Sequence, residues 1–110
     1  MKIENQPSFR SATLTKTAER AMSKRLASGE FISTCNNFVQ QHKNSKLDII
    51  VSTFNEKSDR LIAFINRDGK QLDYIEEGKI ARFLYTPVHF IERVSEKAKA
   101  FESILFKNKV

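Results

Sequence analysis

Residues 47–75 read LDIIVSTFNEKSDRLIAFINRDGKQLDYI, and along them the spacing of apolar side chains is extended rather than helical. Residues 47–54 and 60–66 are rich in Ile, Val and Phe and flank the polar stretch 55–59, the pattern of two antiparallel strands. Arg67, Asp68, Gly69 and Lys70 predict a tight turn in which Gly69 supplies the positive φ of a short hairpin loop. Residues 71–75 then return as a third strand. The middle strand, 61–65, is apolar at every position and is therefore expected to be covered on both faces. After a second turn at Glu76, Glu77 and Gly78, the alternation of Phe83 and Tyr85 favours a fourth strand over residues 79–85 rather than a short helix.

On either side of this region the period is helical. In residues 13–27, Leu14, Ala18, Ala21, Met22 and Leu26 line one face, and Gly29 is placed to cap the C-terminus. In residues 31–42, Phe31, Ile32, Cys35, Phe38, Val39 and His42 form a second stripe opposite a neutral amide and hydroxyl face. The last helix begins with Thr86 as cap and Pro87 at the first helical position and runs to about Phe106. Its seam is Ile91, Val94, Ala98, Phe101 and Leu105. Phe90, Ile104 and Phe106 fall outside that seam and widen the apolar arc beyond what one sheet face covers. The expected fold is α+β: two N-terminal helices, an antiparallel three- or four-stranded meander, and a long C-terminal helix packed on the sheet. The 110 residues make one domain, with residues 1–12 read as a flexible arm.

Charge is concentrated upstream of the strands. Lys2, Arg10, Lys16, Arg20, Lys24, Arg25, Lys43 and Lys46 stand against Glu4, Glu19 and Glu30, so most of the formal net charge of +6 lies in residues 1–46. Such asymmetry points to an anionic partner. The single cysteine rules out an internal disulfide and fits a reducing, cytoplasmic setting. Residues 61–65, the longest apolar run, are far too few to span a membrane. The Ser/Thr-rich, basic residues 8–28 overlap in composition with targeting segments, so an address role there is the competing reading.

Catalytic constellations are weak. A nucleophilic Cys35 needs a base within hydrogen-bond reach, and His42 lies seven positions along the same helix, a rise of about 10 Å. Cys35, His42 and His89 lack the spacing of a zinc site. His42 at a helix C-terminus is expected to be partly protonated by the negative end of the dipole. Asp59 and Asp68 sit where turns want aspartate, and no glycine-rich phosphate loop is present. Neither an enzymatic activity nor a cofactor or metal is therefore expected.

Two binding modes remain. The favoured one is an interaction module that pairs with a protein partner, or with itself as a homodimer, through apolar sheet and C-terminal-helix surface at Phe90, Phe101, Ile104, Leu105 and Phe106. The alternative is nucleic-acid binding. Lys16, Arg20 and Lys24 recur every four residues and, with Arg25, could follow a phosphate backbone, while Asn36, Asn37, Gln40 and Gln41 offer a hydrogen-bonding face next door. A helix-turn-helix arrangement would use the same residues, but Arg25 stands where its turn needs a small packing residue.

Overall fold

The computed structural model describes residues 12–106, in the order β1 (Ala12–Leu14), α1 (Lys16–Arg25), α2 (Ser28–His42), β2 (Asp48–Thr53), β3 (Leu61–Arg67), β4 (Lys70–Glu76), α3 (Lys79–Leu84) and α4 (Pro87–Phe106). The architecture is α+β, with two N-terminal helices ahead of the meander and a long C-terminal helix against it. Except for Ala12, the arm expected over residues 1–12 lies outside the described residues.

The strands β2, β3 and β4 form the antiparallel meander, with Val51 opposite Ala63 and Ala63 opposite Ile75. The β3–β4 loop is closed by Asp68 at φ 51° and Gly69 at φ 83°, two consecutive left-handed residues that match the right-handed twist of the strands. The fourth strand is not residues 79–85. It is β1, which pairs parallel to β2 through Ala12 opposite Ile49 and Leu14 opposite Val51, giving a mixed sheet in the order β1-β2-β3-β4. Leu14 is thus in a strand rather than at the start of a helix. Thr15 stops the strand and caps α1, its hydroxyl accepting from the Ala18 N–H at 3.2 Å.

The break between the first two helices falls at Leu26 and Ala27, both extended, and Gly29 lies inside the first turn of α2. The expected glycine cap is replaced by the Leu26 N–H donating to the Met22 carbonyl at 2.9 Å, so no left-handed residue is needed. The alanines of α1 let it sit close on β2, and Ala18, Ala21 and Met22 join Ile49, Val51, Leu61, Ala63, Ile65, Phe38 and Val94 in one core. On β3 the helix-facing residues Leu61, Ala63 and Ile65 are fully buried. On the opposite face Ile62 is buried, Phe64 half-buried, and Phe64 tilts against the exposed Tyr74 at 5.3 Å. The expected two-sided cover is therefore partial.

The apolar arc of α4 is wide because α4 packs on two neighbours, the sheet and α2. Phe90, read as interface, is 1% exposed and belongs to the core, since positions 90, 94 and 98 share a face with 91.

Candidate functional site

The region after β4 is held by one buried charge pair. Glu77 is 2% exposed, and its backbone N–H donates to the Leu61 carbonyl at 2.8 Å while its Oε1 accepts from the Leu61 N–H at 3.1 Å. Arg25, the last residue of α1, meets the carboxylate in a bidentate fork, Nη1 to Oε1 at 2.7 Å and Nη2 to Oε2 at 2.8 Å. The same guanidinium donates to the Asp59 carbonyl at 3.1 Å and to the Arg82 carbonyl at 3.2 Å. Arg82 in turn pairs with the Asp59 carboxylate, Nε to Oδ1 at 2.6 Å. One guanidinium thus ties α1, the β2–β3 loop, the end of β4 and α3 together.

This tether accompanies the helical course of residues 79–84, where a strand was expected over 79–85. Glu77 turns the chain inward toward Arg25, Gly78 opens the helix, and the Arg82 N–H donates to the Gly78 carbonyl at 2.9 Å and the Tyr85 N–H to the Ala81 carbonyl at 2.8 Å. The alternation of Phe83 and Tyr85 reflects no sheet face. Helix α3 buries none of its residues, and Ile80, Phe83, Leu84 and the adjoining Tyr85 remain 51–79% exposed. A small monomeric surface rarely carries so many large apolar side chains side by side.

Beside α3 lies a cleft of about 600 Å³. Phe83 and Arg82 of α3 form one wall, and Phe54 and Arg60 of the β2–β3 loop form the other. Arg60 lies over the Phe54 ring at 4.5 Å and Arg82 over Phe83 at 5.1 Å. The loop keeps its shape because Asn55 Oδ1 accepts from the Lys57 and Ser58 N–H groups, each at 2.9 Å. Lys24, Lys57 and Lys79 also line the cleft. Arg82 is matched by Asp59 and Arg60 by Glu76 at 3.3 Å, whereas the three lysines have no ion-pair partner among the described residues.

The residues singled out from sequence separate on this framework. Lys16, Arg20 and Lys24 are exposed along α1, with Arg20 donating to the Glu56 carbonyl at 2.9 Å. Arg25 is withdrawn from that row into the pair with Glu77, which corrects its place among the cations facing solvent. Asn36, Asn37, Gln40 and Gln41 are exposed on α2, where Asn37 and Gln41 border a shallow groove of about 240 Å³ against α4. Of the expected interface set, Phe90 is core, Phe101 and Leu105 are half-buried, and only Ile104 is open, at 70%. Phe106 is half-buried, with Lys46 and Arg67 lying over its ring at 5.2 and 4.9 Å. Sequence reading missed Phe54, Ile80, Phe83, Leu84 and Glu77. A helical reading of residues 79–85 would have raised the question of what Ile80, Phe83 and Leu84 pack on, and Arg25 was already conspicuous where a small residue was wanted.

His42 is buried, its Nε2 within 2.9 Å of the Ser95 hydroxyl, with its ring edge-on to Phe38 at 5.4 Å. Burial pushes its pKa below the ordinary 6.5, assisted by Lys99 and opposed by Glu102. The direction is opposite to the one expected from the helix C-terminus, and burial is its first cause. Cys35 is half-buried, and burial followed by the charge of Glu19 raises its thiol above the ordinary value. Among the described residues, no group of three or more His, Cys, Asp or Glu is arranged to hold a metal ion, and no helix is long and apolar enough to cross a membrane.

Compared with family models, curated proteins and solved structures, the chain matches none of them.

Proposed function

We propose that this protein is a small non-enzymatic interaction module that binds a protein partner or a second copy of itself, with α3 as the contact surface. The observation that supports this reading is the exposure of Ile80, Phe83 and Leu84, and of Tyr85 just after them, on and beside a helix tethered by the buried Arg25–Glu77 pair. Holding the surface in place before contact lowers the ordering cost of binding. Full burial of each large apolar side chain by a partner contributes about 1.5–3 kcal/mol before that cost. Ile104 of α4 is the one residue of the expected C-terminal-helix surface that stays well exposed. A cytoplasmic setting accompanies this reading and rests on the single cysteine.

Sedimentation velocity and affinity capture from a cell lysate, each with the wild type and an F83D/L84D variant, test the reading. Both positions are exposed, so the variant should keep the wild-type circular dichroism spectrum and melting temperature. Loss of a dimer or of a captured protein in the variant supports α3 as the contact surface. A monomeric wild type whose captured proteins are indifferent to the substitutions rejects it.

Nucleic-acid binding is the second reading, favoured by the exposed row Lys16, Arg20 and Lys24 on α1. Reversal of all three to Glu should then weaken binding to labelled duplex DNA and lower the salt slope by about 3. An unchanged slope excludes the row.

A further inference from the structure

Three lysines with no carboxylate partner among the described residues line the cleft beside the exposed apolar helix, and that juxtaposition bears on what kind of partner fits. We propose that the occupant of this surface is an acidic, apolar peptide segment of another protein, its carboxylates meeting Lys24, Lys57 and Lys79 and its large side chains lying on Ile80, Phe83 and Leu84. This rests on the reading of α3 as a protein-contact surface.

The charges in the cleft argue for the acidic component. Arg82 and Arg60 are matched by Asp59 and Glu76, so the cleft's own carboxylate is already engaged. Lys24, Lys57 and Lys79 come from α1, the β2–β3 loop and α3, and leave a positive rim for which no described side chain supplies the counter-charge. Complementary charge on a partner raises the rate of encounter and fixes the register in which the apolar side chains land.

The same features count against two other occupants. A second copy would bring its own lysine rim to an isologous contact, placing like charges against each other. A single-stranded nucleic acid needs free aromatic faces on which bases stack. Phe54 and Phe83 each give one face to an arginine, Tyr85 is stacked on His89 at 4.3 Å, and Ile80 and Leu84 have no π-face to offer, so no aromatic here is open on both faces. Aliphatic and aromatic side chains of a peptide match this surface better. The cleft's volume of about 600 Å³ lies within the range of ligand-binding clefts.

The experiment is selection of random displayed peptides of about 15 residues against the full-length protein. Fluorescence anisotropy then follows, with the selected peptides and with oligothymidylate of matched length. The expected peptides combine Asp or Glu with Leu, Ile, Phe or Met. Their affinity should fall at least about tenfold in K24E/K57E/K79E and weaken as salt rises. F83D/L84D should abolish binding. Peptides lost with F83D/L84D but untouched by lysine reversal would overturn the acidic specificity and leave α3 as the contact surface. Peptides indifferent to both variants would overturn both readings. A neutral or basic consensus, a failed selection, or oligothymidylate binding tighter than any peptide would each overturn the proposal, the last in favour of nucleic acid.

Discussion

Replacing Glu77 by alanine removes the carboxylate that holds Arg25 and accepts from the Leu61 N–H. Breaking a buried pair by deleting one partner costs about 3–5 kcal/mol, because the remaining charge stays in a poorly solvated site. Here the low end applies. The Arg25 side chain retains 12% of its surface and two carbonyl acceptors, on Asp59 and Arg82, so water and backbone recover part of the loss. The expected destabilisation is about 3 kcal/mol in urea unfolding, or roughly 12 °C in melting temperature for a domain of this size. Glu77→Gln keeps an oxygen for Leu61 and should lose about half as much. An R25M/E77L double variant leaves no unpaired charge, and its loss should fall well below the sum of the single losses. Hydrogen exchange supplies the local readout. As α3 buries no residue, its amides should lose protection in Glu77→Ala before those of β3 do. A Glu77→Ala loss below about 1 kcal/mol, with α3 protection intact, would show that the pair is not what holds α3 down.

Phe90→Ala should cost about 3–5 kcal/mol in denaturant melts whereas Ile104→Ala stays within about 0.5 kcal/mol, since the first empties the core and the second changes only exposed surface. Similar values for the two would contradict the assignment of Phe90 to the core. Gly29 is helical and a Cβ there meets nothing within 4 Å, so Gly29→Ala should raise stability by about 0.4–1 kcal/mol. A loss would mean that the glycine is needed after all. Because the pKa of buried His42 lies below its ordinary 6.5, the unfolded chain takes up a proton first as pH falls. The His42 contribution to stability is therefore intact above pH 6.5 and declines below it, by at most about 1.4 kcal/mol per pH unit. Urea midpoints between pH 8 and 5 should fall more steeply for the wild type than for His42→Asn, and parallel curves would refute this.

The helical periods of α2 and α4, the extended period of β2 and β3, and the Asp68–Gly69 turn were legible in the chain because each depends on neighbours a few residues away. In the stripe expected for α2, however, only Phe38 and His42 are buried, and Ile32 and Val39 stay exposed because neither the sheet nor α4 covers that edge. Local signals misled where a distant residue took over. The first turn expected for α1 became β1 because the free edge of β2 was available for parallel pairing across the sequence between Leu14 and Asp48. Phe90 looked surplus only because the α2 side of α4 could not be seen from periodicity.

The candidate surface shows the same division. The excess of basic residues, the apolar content of residues 79–85 and the oddity of Arg25 are properties of the amino-acid string, written in composition and spacing. That Arg25 leaves the basic row to fork onto Glu77, 52 positions away, depended on folding, as did the placing of Lys24, Lys57 and Lys79 around one cleft beside uncovered Ile80, Phe83 and Leu84. Contacts between residues so far apart in sequence leave no periodic trace; they arise when packing of the core brings α1, the β2–β3 loop and the end of β4 to one corner, where a buried guanidinium needs its counter-charge.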